Sequence, residues 1–383
     1  MYNFIYQNPV KIIFGKKEIS KLTGLLPKNS KIMITYGGGS IKKNGVYDQV
    51  VKALDGYQFV EFGGIEPNPK YETLMNAIEL GKKEKVDFLL AVGGGSVIDG
   101  TKFIAASIPL EGDPWDILLG KKEVEKAVPF GAILTLPATG SEMNSGAVIS
   151  RISTQEKYAF MSPFVMPQFS ILDPEVCFSL PKRQVANGIV DAFVHTVEQY
   201  LTFPVDAKVQ DYFAESLLKT LIETAPEVMK ENPTYDDYAN FMWTATMALN
   251  GLIGCGVPQD WATHGIGHEL TAIHGIDHAR TLAIVLPGVM NIMRNAKRDK
   301  LEQYAYRIWN ISAGSSDERI NKAIQKTEEF FESVGIKTRL KDYDVDENTI
   351  AIITERFKER KALMGEREDI SYGIVAQILR DRL

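Results

Sequence analysis

The stretch Val86-Asp-Phe-Leu-Leu-Ala-Val92-Gly93-Gly94-Gly95-Ser96-Val97-Ile98-Asp99 decides the fold. An apolar run too short for a helix stops at three glycines, and a segment with helical spacing, Val97 to Ser107, follows at once. This is how a buried parallel strand turns into a helix at the edge of an α/β sheet. Glycines at such a turn let a phosphate approach the backbone, and the free N–H groups of the first helical turn attract its charge. Gly94, Gly95 and Ser96 are therefore candidates to hold the pyrophosphate of a dinucleotide. The pattern is neither Gly-x-Gly-x-x-Gly nor a Walker loop, because no Gly-Lys-Ser/Thr follows.

Similar runs lie on both sides. Lys31 to Tyr36, Phe130 to Leu136 and Phe169 to Leu172 are short, apolar and closed by glycine, proline or aspartate, and Lys70 to Lys85 carries helical spacing between them. The alternation predicts an α/β, Rossmann-like dinucleotide-binding domain over residues 1–180. Beyond Asp173-Pro174 the strand signals fade. Lys182 to Tyr200, Asp206 to Lys230, Tyr235 to Leu252 and Asp317 to Val334 all carry helical spacing, so residues 181–383 are expected to form an all-helical domain, with the active site in the cleft between the two.

Two further loops leave strand ends. In Tyr36-Gly37-Gly38-Gly39-Ser40 there is no acid where such sheets commonly place one on the adenosine ribose. Gly37, Gly38 and Ser40, with Lys42 and Lys43 nearby, suit a 2′-phosphate instead, so NADP(H) is preferred over NAD(H). In Thr135-Leu-Pro-Ala-Thr139-Gly-Ser141-Glu-Met-Asn144-Ser-Gly146, the small polar side chains of Thr135, Thr139 and Asn144 can bond phosphate or a nicotinamide amide. Three such loops converge on the carboxyl edge of one sheet, where α/β folds bind ligands.

Of five histidines, four fall in Trp261-Ala-Thr-His264-Gly-Ile-Gly-His268-Glu-Leu-Thr-Ala-Ile-His274-Gly-Ile-Asp-His278, and the fifth ends Asp191-Ala-Phe-Val-His195. Asp191 and His195, four apart, share one face of a helix and can grip one ion; His264 and His268 have the same spacing. The spacing alone leaves all five histidines as candidates. A set of imidazoles with one carboxylate suits Fe(II) and Zn(II) alike.

Composition excludes several classes. With 45% hydrophobic and 24% charged residues the chain is neither disordered nor fibrous, and a net charge of −6 gives no support to nucleic-acid or anionic-membrane binding. The N-terminal residues lack a basic, apolar secretory signal and no run reaches the roughly 20 apolar residues of a span. A cytoplasmic location is expected, with Cys177 and Cys255 as buried thiols. The apolar segment Phe4 to Phe14 is read as an edge strand able to pair across a two-fold axis in a homodimer.

Gly93-Gly-Gly-Ser-Val-Ile-Asp99, Pro137-Ala-Thr-Gly-Ser-Glu142, Asp191-Ala-Phe-Val-His195 and the His264 to His278 block together resemble the iron-containing (group III) alcohol dehydrogenases over essentially the whole chain. The Tyr36 to Ser40 loop makes it most similar to the NADP(H)-dependent butanol dehydrogenase and broad-range aldehyde reductase branch. The resemblance implies Asp191, His195, His264 and His278 as metal ligands, leaves His268 in the cleft as a non-ligand, and brings Asp99 and Lys157 to the cofactor. His274 has no implied role and is read as scaffold. The expected reaction is hydride transfer between NADP(H) and short-chain aldehydes or primary alcohols such as butanal and butanol, with His268 as the proton carrier because imidazole titrates near neutrality. Met143, Ile149 and Phe160 are taken as possible lining of the substrate site. The rival readings are a metal-dependent lyase or glycerol-type dehydrogenase of the same superfamily, and a nucleotide-binding protein without catalysis.

Overall fold

A computed structural model describes residues 1–383. Eight strands form: β1 (Lys11–Phe14), β2 (Lys31–Tyr36), β3 (Gln58–Phe62), β4 (Phe88–Gly94), β5 (Phe130–Leu136), β6 (Gly146–Arg151), β7 (Glu156–Met161) and β8 (Phe169–Leu172). Six of them make one all-parallel sheet in the order β1-β8-β5-β4-β2-β3. β6 and β7 form a separate antiparallel pair in which Gly146 faces Met161 and Arg151 faces Glu156. The central strands are buried on both faces, as their unbroken apolar runs require.

The helices with this sheet are α1 (Val46–Ala53), α2 (Tyr71–Glu84), α3 (Gly95–Ser107) and the short α4 (Trp115–Leu118). α3 is buried along nearly its whole length, its apolar residues lying all round rather than in one stripe. It packs on β4 and on β6, and the Thr35 and Thr101 hydroxyls meet at 2.6 Å between sheet and helix.

The chain then enters a helical unit with α5 (Lys182–Tyr200) and α6 (Lys208–Val228), crosses back to the sheet unit with α7 (Tyr235–Ala248), and returns for α8 (Ala262–His274), α9 (His278–Ile292), α10 (Arg298–Trp309), α11 (Ser316–Ser333), α12 (Glu347–Glu359) and α13 (Tyr372–Arg380). The sheet unit comprises residues 7–184 and 233–246; the helical unit comprises residues 1–6, 185–232 and 247–383. An α/β parallel-sheet unit and an all-helical unit are thus both present. No helix is long and apolar enough to cross a membrane.

The N-terminal strand is shorter than its sequence suggests. Only Lys11–Phe14 pairs, with β8 at the sheet edge, while the Tyr2 amide donates to the Gly256 carbonyl at 2.8 Å and residues 1–6 belong to the helical unit. Ile149 and Phe160 are buried, Phe160 against the Phe103 ring of α3, so they serve packing within the sheet unit. Both cysteines are buried free thiols.

In the helical unit α8 buries Ala262, Ile266 and Leu270 against Ile284, Val285 and Val289 of α9 and against Ile350, Ile353 and Phe357 of α12. At 100° per residue this stripe leaves His264 and His268 on the opposite face. α8 ends at Gly275, whose positive φ of 68° is the left-handed conformation that closes a helix, and its amide returns to the Thr271 carbonyl at 2.8 Å. α9 begins three residues later at His278, so this turn brings a second histidine back beside the first.

Candidate metal and cofactor sites

α5 supplies one face in register. Asn187, Asp191, His195 and Glu198 are spaced by four, four and three residues, which aligns them along the helix. Each engages the α8–α9 pair or its neighbours. Asn187 Nδ2 donates to Asp277 Oδ2 at 2.9 Å, tying α5 to the residue before His278. Asp191 Oδ1 lies 3.7 Å from His195 Nε2 and 3.8 Å from His278 Nε2. The His195 and His264 rings stack at 4.7 Å, and the His278 ring is 5.1 Å from that of His264.

Ligand atoms of Asp191, His195 and His264 all lie within 4.8 Å of one another, and the three residues are buried. Asp191 Oδ1 accepts no hydrogen bond although it is shielded from solvent. Such an anion is costly unless a cation satisfies it. The spacings of 3.7 and 3.8 Å exceed a hydrogen bond and approach the ~3.4 Å edge of a tetrahedron built on ~2.1 Å metal bonds. The buried donors of Asp191, His195 and His264 therefore fit a divalent ion, and His278 Nε2 stands beside Asp191.

His268 lies on the same α8 face one turn on, its ring 6.1 Å from His264 and 5.2 Å from His278. His274 turns elsewhere and bonds Thr349 Oγ1 of α12 at 2.9 Å. The Trp261 ring packs edge-on to His195 and His264, closing an apolar side of the site.

Glu198 was not among the residues expected here. Its Oε1 accepts from the His264 backbone amide at 3.1 Å, and its Oε2 meets His264 Nδ1. Burial pushes its carboxyl well above the usual range, and Asp260 adds to this; the His264 and Thr263 amides and the His195 imidazole oppose it. The signal was available, since Glu198 stands seven residues after Asp191 on the same helical face.

In the sheet unit, β2, β4 and β5 are neighbours, so the loops after them share one edge. Gly94 ends β4 and precedes α3, whose first residues are Gly95 and Ser96. Ser96 Oγ accepts from the Asn68 amide at 3.3 Å. Asn68 also accepts, through Oδ1, from Lys157 Nζ at 2.8 Å, and it adopts a positive φ of 54° between two prolines. Lys157 is thereby buried rather than solvated, on β7 and linked through Asn68 to Ser96 at the start of α3.

The Thr135 to Gly146 segment is held by Lys102, a fully buried residue of α3. Its Nζ donates to the Asn144 carbonyl at 2.9 Å, Asn144 Oδ1 at 2.8 Å and the Gly146 carbonyl at 2.7 Å. Burial pulls its ammonium down to about 8 against the attraction of Asp99 and Glu142. Asp99 accepts from Ser141 Oγ at 2.6 Å and from the Val148 amide at 3.0 Å, and burial raises its carboxyl. Thr139 Oγ1 accepts from the Ser141 amide at 3.2 Å. Thr135 lies buried near the end of β5.

At the third loop, Gly37 accepts through its carbonyl from the Gly64 amide at 3.0 Å, and added β-carbons on Gly38 would meet open space. Ser40 opens the short turn that follows Gly39. An acid does approach, from the neighbouring strand: Glu61 of β3 accepts from Tyr36 Oη at 3.0 Å, from Lys42 Nζ at 2.9 Å and from Tyr47. Burial raises the Glu61 carboxyl, but the Tyr47, Lys42 and Tyr36 donors outweigh it and hold it below its ordinary value. Sequence reading missed Glu61 because it examined only the loop that follows β2.

Residues 9–174 match the family model described as iron-containing alcohol dehydrogenase, and residues 185–383 match its C-terminal counterpart, the Fe-containing alcohol dehydrogenase family, C-terminal. The chain is 58% identical over 382 residues to the NADPH-dependent aldehyde reductase YqhD of Escherichia coli K12, covering 99% of each. It is 44% identical to the probable NADH-dependent butanol dehydrogenase 1 of Bacillus subtilis 168, covering all of both. The crystal structure of E. coli K-12 YqhD matches with a TM-score of 0.98 at 57% identity, over 100% of this chain and 99% of that one. With the two family models together matching residues 9–174 and 185–383, and a buried carboxylate and imidazoles grouped as a metal would need them, the chain belongs to the iron-containing alcohol dehydrogenase family.

Proposed function

We propose that this protein is an NADP(H)-linked, metal-dependent aldehyde reductase and alcohol dehydrogenase acting on short-chain aldehydes and primary alcohols such as butanal and butanol. The observation that carries the reading is the cluster of Asp191, His195 and His264, with His278 beside it. These four residues are the proposed ligands of one Fe(II) or Zn(II). When bound, the metal supplies Lewis acidity at a carbonyl oxygen and the nicotinamide supplies the hydride.

The chain's own residues do the rest. Gly94, Gly95 and Ser96 offer N–H and hydroxyl donors to the pyrophosphate at the start of α3. Lys157, held by Asn68, adds a positive charge at that edge. Thr135, Thr139 and Asn144, with Asp99 bracing their loop through Ser141, present the polar surface for the nicotinamide half. Gly37, Gly38 and Ser40 leave room and a hydroxyl for the adenosine ribose and its 2′-phosphate, and Lys42 neutralises the one acid nearby. His268, a turn from His264, holds and delivers the alcohol proton at its buried Nε2.

The same reading places the protein in the cytoplasm as a homodimer. Its support is the pair of free buried thiols, the position of β1 as an edge strand and the exposure of Ile5, which precedes it in sequence. Loss of NADPH absorbance at 340 nm with butanal, abolished by chelator and restored by Fe(II) or Zn(II), is the expected result. NADPH that persists with every aldehyde and either metal overturns the reading.

A further inference from the structure

We infer that Glu198 is the positioning residue of the metal site, fixing both the place and the tautomer of His264. The inference rests on reading the Asp191, His195 and His264 cluster as metal-binding. Glu198 is on the same helix as Asp191 and His195, whereas His264 comes from α8. One buried carboxylate joins the two helices at this point. One oxygen takes the His264 backbone amide at 3.1 Å and the other takes the ring at Nδ1. A main-chain and a side-chain contact made to the same residue leave its ring little freedom about either side-chain torsion.

The chemistry follows from which nitrogen is engaged. An imidazole bonded through Nδ1–H to a carboxylate keeps its lone pair on Nε2, the nitrogen it can then offer to an ion. Without that acceptor the ring loses the bias that reserves Nε2 for an ion.

The clamp is itself anchored. The Asp260 amide donates to the Glu198 carbonyl at 2.9 Å, and Asp260 Oδ1 accepts from the amide of Ala262, the first residue of α8, at 2.8 Å. Asp260 in turn is paired with Lys297 at 2.8 Å. The three donors of Lys297 are divided among Asp260, Glu366 at 2.6 Å and the Leu201 carbonyl at 2.8 Å, all in the interior. The turn that carries His264 is therefore tied to the end of α5 by side chain and by backbone.

The test uses the full-length protein stripped of metal, as wild type, E198Q and E198A, with H264A as the reference for a lost ligand. Histidine-labelled protein reports the His264 tautomer by ¹⁵N NMR without metal, and Co(II) titration against a competing chelator reports affinity and the visible ligand-field spectrum. The wild type should carry its proton on Nδ1. E198A should shift toward the Nε2–H form, weaken Co(II) binding by about 10- to 100-fold and alter the spectrum; E198Q, which keeps an acceptor oxygen, should restore the tautomer and most of the affinity. Circular dichroism checks that each variant is folded. An unchanged tautomer in folded E198A overturns the inference whether or not metal binds, as does wild-type Co(II) affinity with an unchanged spectrum. If the wild type binds no Co(II), the metal reading fails on its own, and the tautomer still decides the role of Glu198.

Discussion

The side chain of Thr139 stands where a β-carbon on Gly95 would have to go, its Oγ1 and Cγ2 at 2.3 and 2.4 Å from that position. The Thr139 side chain thus packs directly against the backbone of the Gly93 to Ser96 loop. Gly95→Ala would force Thr139 aside, and Thr139 is held through the Ser141 amide. Overpacking of this kind costs about 1–3 kcal/mol, so NADPH affinity, measured by fluorescence titration, should fall by about tenfold or more while metal content stays unchanged. Wild-type NADPH affinity in G95A would remove the reason for a glycine there.

Lys42 and Glu61 make a prediction about cofactor choice. Lys42→Ala leaves the Glu61 carboxylate beside the loop proposed for the 2′-phosphate, with only the two tyrosine hydroxyls on it. Exposed pairs of this sort contribute little, so KM for NADPH should rise only about two- to fivefold and KM for NADH should hardly change. The double variant K42A/E61Q should recover most of the loss, a result steady-state kinetics with both cofactors would read directly.

Asp191 carries the prediction about the metal. Its Oδ1 is buried without a hydrogen bond, and a bound cation would satisfy it. Free metal at a hundred times its Kd should stabilise the wild type by about 2.7 kcal/mol, visible as a rise in Tm that chelator reverses. Asp191→Asn should lose metal by elemental analysis and show no Tm response to either treatment.

His268 is proposed as a proton carrier and not as a ligand. His268→Ala should lower turnover by about 10²- to 10⁴-fold and flatten its pH profile near neutrality, with metal content close to that of the wild type. Loss of the metal instead would place His268 among the ligands; unchanged turnover would remove it from the reaction.

Lys102 sets a pH dependence in the sheet unit. Its folded value of about 8 lies below the ordinary 10.5 of a lysine, with burial as the main cause and Asp99 and Glu142 opposing. Between these values the unfolded chain binds more protons than the folded one, so the cost of keeping this charge buried is present below pH 8 and is relieved as pH rises toward 10.5. The full relief is on the order of 3 kcal/mol. Urea unfolding from pH 7.5 to 10.5 should show wild-type stability rising relative to Lys102→Met. Parallel curves for the two proteins would mean that the Lys102 proton is not coupled to folding.

The parts of the fold that could be read from sequence are those where burial writes an unbroken apolar run. Lys31–Tyr36, Phe130–Leu136 and Phe169–Leu172 were expected with the limits they have, and Lys182–Tyr200 was expected from its helical spacing. β3 escaped because Glu61 interrupts it and it lies half-buried at the sheet edge. The β6–β7 pair escaped because a stretch of small polar residues leads into it and no tight-turn signature joins its strands. At the site, the i,i+4 spacing of Asp191 and His195 was legible, and so was the bunching of histidines. What sequence could not supply was partnership across distant segments: Lys157 reads as surface until Asn68 is seen to hold it, and Lys102 reads as an ordinary helix lysine until its three acceptors are found.

The return of α7 to the sheet unit has a consequence for synthesis. Trp243 packs edge-on against Phe14 of β1, Tyr238 against Phe178, and Thr246 Oγ1 donates to the buried Glu142 at 2.5 Å. A nascent chain that has released Leu172 from the ribosome owns every strand of its sheet, yet it lacks these partners until residue 246 emerges, after two helices of the other unit have already been made. The sheet unit therefore cannot be finished on the ribosome before two helices of the other unit have been made, and an expression fragment ending at Gln184 would leave Glu142 without its donor and Phe14 without its cover.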